Sequence, residues 1–130
     1  MSDEAPLLVQ RDGAVVRAIL NRPHGGGCRM SGGMPRVLVI AGAGGHFCAG
    51  LDLTEVAAPE TPEEKLAKQQ ARNRATGARF QAISDLPQVV IAAVEGSAFA
   101  GGLGFVCSAD IALAAPNARF CAPEVRRGLV

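Results

Sequence analysis

A chain of 130 residues has the size of one ordinary domain and leaves no room for a second. With 48% hydrophobic and 19% charged residues and a mean hydropathy of +0.21, it is too apolar for intrinsic disorder. Its 13 basic and 12 acidic side chains leave a net charge of +1, and aromatic residues make up only 4% with no Trp or Tyr, so neither a basic nucleic-acid footprint nor a base-stacking platform is expected.

At the start of the chain, Ser2-Asp3-Glu4-Ala5-Pro6 is acidic and polar, unlike the charged stub and apolar core of an export signal. Reduced thiols and a cytoplasmic location are the corresponding expectation. Leu7 to Leu20 reads as a hairpin of two short strands, Leu7-Leu8-Val9 and Val15 to Leu20, around Asp12-Gly13. Asn21-Arg22-Pro23 stops the second strand. The segment 24–35 is glycine-rich and unsuited to a helix.

Val37-Leu38-Val39-Ile40-Ala41 is a continuous apolar run suited to a parallel strand buried on both faces, followed by a glycine-rich turn from Gly42 to Gly50. Thr61-Pro62-Glu63-Glu64 is a capping-box signature that predicts a helix from Pro62 to Ser84, with Leu66, Phe80 and Ile83 as its apolar stripe. Val89 to Val94 reads as a second buried strand ended by Gly96, Gly101 to Ala109 as a small-residue helix, and Ile111 to Ala115 as a third strand. Strands alternating with helices indicate an α/β sheet. The most apolar stretch, Val89 to Ala115, is interrupted by Glu95 and Asp110. Its uninterrupted runs fall short of the roughly 18 residues of a spanning helix, so no membrane partner is expected.

Most motif readings fail on inspection. Cys28, Cys48, Cys107 and Cys121 form no C-x-x-C pair, and His24 and His46 supply no metal-spaced partner, so no metal is expected. Gly42-Ala43-Gly44-Gly45-His46-Phe47 lacks the last glycine of a dinucleotide fingerprint, and Gly45 to Gly50 lacks the Lys-Ser/Thr pair of a phosphate loop. Two turns remain, Phe47 to Leu53 and Gly96 to Gly104, each following a strand. On parallel neighbours both would lie at one carboxyl edge, where open α/β sheets bind ligands and small residues let backbone amides approach a substrate. Gly101-Gly102 also opens a helix, whose free amides favour a developing negative oxygen.

Four segments, Phe47-Cys48-Ala49-Gly50-Leu51-Asp52-Leu53, Ala98-Phe99-Ala100-Gly101-Gly102, Cys107-Ser108-Ala109-Asp110 and Phe120-Cys121-Ala122-Pro123-Glu124-Val125, together with Leu20-Asn21-Arg22-Pro23, resemble the crotonase, or enoyl-CoA hydratase/isomerase, family in sequence and in order. The resemblance implies a repeated ββα spiral in one crotonase-like domain over 1–130. It implies an acyl-CoA thioester as partner, whose carbonyl oxygen lies between the backbone amides of Leu51 and Gly101. It further implies Glu124 as the catalytic acid/base, with Ala49, Asp52, Leu53, Phe99, Gly104 and Pro123 along the substrate. No cofactor is implied, since coenzyme A is part of the substrate.

Hydratases of the family commonly carry two glutamates, and here Gly104 stands at the position of the first. The implied reaction is addition of water to a 2-enoyl-CoA with one glutamate. The alternatives are a single-glutamate isomerase or a silent acyl-CoA-binding or subunit-interaction fragment. Family chains are about twice as long, with C-terminal helices that close the pocket and join subunits into trimers or hexamers, and they carry a helix where 24–35 stands. The sequence is therefore read as a truncated form of that fold. Bland readings compete at several positions: Glu124 paired with Arg126 or Arg127, Asp52 and Asp110 as turn or helix-end residues, the cysteines as small fillers, and His46 as a loop residue.

Overall fold

A computed structural model of the chain describes residues 7–20, 35–50 and 61–127. The glycine-rich segment 24–35, up to Met34, and the expected Asn21-Arg22-Pro23 stop lie outside the described residues, as do Leu51, Asp52 and Leu53.

The chain opens with the antiparallel pair β1 (Leu7–Asp12) and β2 (Val15–Leu20), in register from Leu7 opposite Leu20 to Asp12 opposite Val15. The first strand runs three residues beyond the expected Val9, and the turn falls on Gly13-Ala14, one residue later than the Asp-Gly dipeptide suggests. Gly13, at φ +56, supplies the left-handed conformation such a tight turn needs.

β3 (Val37–Gly42), β4 (Val89–Val94) and β6 (Ile111–Ala114) continue the sheet in parallel, giving the order β1-β2-β3-β4-β6. The crossover from β3 to β4 contains α1 (Pro62–Ser84) and the crossover from β4 to β6 contains α2 (Gly101–Cys107). α1 begins as the sequence predicts. The Thr61 hydroxyl accepts from the Glu64 amide at 3.2 Å, and the Glu64 carboxylate accepts from the Thr61 amide at 3.0 Å.

A second, smaller sheet was not legible in the sequence. β5 (Ser97–Phe99) pairs in parallel with β7 (Arg119–Cys121), and Cys48 adds a parallel bridge to Ala98. Each turn of the chain thus lays a long strand in the large sheet and then a short extended piece in the small one. A helix follows, α1 after Cys48 and α2 after β5, and after β7 comes a 3-10 turn at Pro123–Arg127. This is the expected α/β architecture of repeated ββα turns.

The core lies between one face of the large sheet, the small sheet and the two helices. Val90, Ala92 and Val94 of β4 and Ile40 of β3 are buried with Phe47 and Ala98, and Ile83, Phe105 and Val106 pack on them from the helices. Register extends this layer sideways, since Val16 pairs with Leu38 and Leu38 with Val90. Burying each of the large side chains Val16, Phe47 and Val90 contributes about 2 kcal/mol.

Two burial expectations are corrected. The strands β3 and β4 are not buried on both faces: β4 alternates, with Val90, Ala92 and Val94 buried between less buried neighbours, because the helices cover one face only. Leu66 is 55% exposed and belongs to no apolar stripe. Only the last turns of α1, at Phe80 and Ile83, reach the core.

Candidate active site

The two glycine-rich turns meet because their strands are parallel neighbours. After β3, Gly44 and Gly45 turn the chain at φ +66 and +76, and Phe47 then anchors it in the core. The Cys48 amide donates to the Ser97 carbonyl at 2.9 Å and the Phe99 amide donates to the Cys48 carbonyl at 2.8 Å. His46 holds the same junction from outside, its Nδ1 accepting from the Ser97 amide at 3.3 Å. It is a loop residue with a structural bond.

The third segment is joined one residue further on. The Ala100 amide donates to the Cys121 carbonyl at 2.9 Å, which fixes the end of β7 beside the start of α2. Ala100 does so at φ 52 and ψ −122, the one left-handed non-glycine residue among those described. That conformation turns the chain sharply from β5 into α2. Two glycines permit the approach. A Cβ on Gly50 would stand 2.8 Å from the Ala100 Cβ, and a Cβ on Gly102 would stand 2.8 Å from the Cys48 Cβ and overlap its carbonyl.

Gly101 therefore opens α2 at the carboxyl edge of both sheets. The space on the side where a Cβ would stand is open, and its amide has no acceptor among the described residues. Glu124 follows Cys121 by three residues, in the first turn of the 3-10 segment, so it leaves the small sheet at this same edge. It is half-buried, as is Pro123, and makes no hydrogen bond or ion pair among the described side chains, so the alternative pairing with Arg126 is not formed. Ala49 is exposed and Phe99 half-buried on the strands leading to this edge. Leu51, Asp52 and Leu53 lie outside the described residues.

Gly104, one turn into α2, faces the ring of Phe80 from α1. A Cβ there would overlap that ring, which also meets Phe105 edge to face at 5.3 Å and 88°. Sequence reading missed this partner because Phe80 and Gly104 come from separate elements and no local pattern links them. Asp110 is a structural residue: its carboxylate accepts from the Val90 amide at 2.7 Å while its own amide donates to the Val90 carbonyl at 2.9 Å. Cys48, Cys107 and Cys121 are free thiols. Among the described residues, no group of three metal-ligating side chains occurs and no helix is long and apolar enough to cross a membrane.

Comparison with known proteins bears on the family and the fold. The family model for enoyl-CoA hydratase/isomerase matches residues 33–130. An enoyl-CoA hydratase of Alternaria alternata is 37% identical over 92 residues, which are 71% of this chain and 28% of the relative. A carnitinyl-CoA dehydratase of Proteus mirabilis is 39% identical over 97 residues, or 73% of this chain and 34% of the relative. The crystal structure of an enoyl-CoA hydratase/isomerase from Marinobacter aquaeolei superposes with a TM-score of 0.75 at 32% identity, covering 96% of this chain and 54% of that one. The chain spans about half the length of that solved structure and about a third of the curated relatives.

Proposed function

This chain belongs to the enoyl-CoA hydratase/isomerase family, and from that premise we infer that it binds a 2-enoyl-CoA thioester and adds water across its double bond. The observation that carries this reading is the meeting of three segments at one edge: the Cys48 bridge, the start of α2 at Gly101, and the Pro123-Glu124 turn tied in through Ala100 and Cys121.

In this reading the thioester carbonyl oxygen accepts from the amides of Gly101 and Leu51. Polarising that oxygen draws electron density out of the double bond and makes Cβ electrophilic. Glu124, as carboxylate, takes a proton from water as the water oxygen bonds to Cβ. The resulting enolate oxygen is held by the two amides until the proton taken up by Glu124 is delivered to Cα, which regenerates the carboxylate. Main-chain donors explain why a leucine serves at position 51, since its side chain takes no part in the bond. Loss of one such donor costs about 3 kcal/mol of barrier. Proton transfer and oxyanion stabilisation suffice for the chemistry, so no metal or redox group is part of the proposal.

Gly104 and Phe80 favour a second reading. A ring fills the place a side chain at position 104 would take, so one carboxylate serves the site. A lone glutamate is enough to move a proton between two carbons of an enoyl chain, which is isomerisation.

Both readings make Glu124 the acid/base. Glu124→Gln is expected to abolish turnover while leaving acyl-CoA affinity within about threefold of wild type, a change under 1 kcal/mol. Kinetics paired with calorimetric binding check this, and unchanged turnover in the variant would remove Glu124 from the mechanism.

A further inference from the structure

We propose that His46 is a positioning residue of the candidate active site: by accepting from the Ser97 amide, it holds the Gly96-Ser97 peptide in the orientation that brings Gly101 and Glu124 to one edge. The inference rests on the functional reading above and adds the residue that aligns two of its groups.

A parallel ladder joins the turn after β3 to β5. The Cys48 amide donates to the Ser97 carbonyl and the Phe99 amide donates to the Cys48 carbonyl. The next rung of that pattern would run from the Ser97 amide to the carbonyl of residue 46. That carbonyl is turned toward Gly42, where a Cβ would overlap it. The imidazole of the same residue takes its place, with Nδ1 accepting from the Ser97 amide at 3.3 Å. An imidazole that accepts at Nδ1 carries its proton on Nε2. His46 is exposed, and this is its one side-chain hydrogen bond among the described residues. The bond therefore completes the small sheet where the backbone cannot.

Its importance lies in what the same peptide carries on the other side. The Gly96 carbonyl accepts from the Arg119 amide at 2.8 Å, which sets the start of β7 against β5. Gly96 is buried at φ +61. Glycine has accessible wells on both sides of φ, so the peptide that follows it turns over more readily than one between residues with a Cβ. While His46 accepts, turning this peptide over breaks a bond at each end. Without that acceptor, only the Arg119 bond resists. Gly101 follows Ser97 by four residues through β5, and Glu124 follows Arg119 by five through β7. A shift of this one peptide thus moves the proposed oxyanion donor and the proposed acid/base relative to each other.

The test compares His46→Asn, whose Oδ1 is as many bonds from the main chain as Nδ1 and still accepts, with His46→Leu, which has no acceptor. With 2-enoyl-CoA, His46→Leu is expected to lower kcat at least about tenfold at unchanged KM. His46→Asn is expected to stay within about twofold of wild type. Unchanged kcat in His46→Leu, equal losses in both variants, or a change confined to KM would overturn the proposal while leaving the functional reading in place. Where the leucine variant does not fold, His46→Ala replaces it, and failure of both to fold assigns the bond to stability alone and also overturns the positioning role. If wild type has no turnover, the functional reading fails, and amide hydrogen exchange on the same proteins decides the alignment. Faster exchange at Ala100 and Arg119 in His46→Leu, with wild-type exchange in His46→Asn, supports it; exchange unchanged in both variants overturns it.

Discussion

Ala100 has a conformation that alanine rarely adopts, φ 52 with ψ −122, and it joins the three segments of the candidate site. Its amide is bonded to Cys121 on one side, and the next residue is the proposed donor Gly101. Holding a residue with a Cβ in this region costs on the order of 1–3 kcal/mol and persists only where the surroundings enforce it. Ala100→Gly is therefore expected to stabilise the fold by about 1 kcal/mol, the strain removed less the extra chain entropy of glycine. Urea unfolding measures this, and a loss of stability would mean the alanine methyl packs well enough to outweigh the strain. Asp110 shows the opposite case. The sequence reads it as a turn or helix-end residue, and the structure commits its carboxylate to the Val90 amide.

At the scale of elements, α1 is set by its start and by its last turns, with no buried residue along its length. The capping box holds the first turn, and the Glu64 carboxyl is kept below its ordinary value of 4.5 by its bonds from the Thr61 backbone and side chain. A depressed folded value means that the charged form supports folding above the unfolded value and that this support is lost as pH falls through the folded one. Wild type is thus expected to exceed Glu64→Gln in stability at neutral pH, with the gap closing as pH drops from about 4.5. Thermal melts across that range check this, and a gap independent of pH would contradict the charged bond. The boundaries of α1 and β4 and the start of α2 were legible because they rest on local signals: a capping box, an apolar run ended by a glycine at φ +61, and a glycine pair after a strand; the end of α2, expected at Ala109, has no such signal and falls at Cys107. β5, β7 and the Cys48 bridge were not, since segments of one to three residues have no periodicity and are defined by partners far along the chain. The same reason hid Phe80 as the neighbour of Gly104. Leu66 was misread because a stripe inferred from spacing assumes a covering partner along the whole helix, and α2 is too short to provide one.

Across the whole molecule, the ββα repeat brings three successive turns to one edge, which is why blocks distant in sequence converge there. The last strands of the repeat are less covered. Every residue of β6 and β7 is exposed, with Leu113 at 59% and Phe120 at 47%. Apolar strand surface of this kind drives association. The 130-residue chain is expected to sediment above its 13.3 kDa monomer mass, and Leu113→Lys/Phe120→Lys to move it toward the monomer; a monomeric wild type would contradict this. The central claim is that this edge activates an enoyl thioester with Glu124 as its acid/base. It is tested most directly by mass analysis of a 2-enoyl-CoA incubated with the chain in heavy-oxygen water, alongside Glu124→Gln. The account predicts heavy oxygen bound at Cβ with wild type and none with the variant. Absence of label with wild type, or equal label with both proteins, would contradict it.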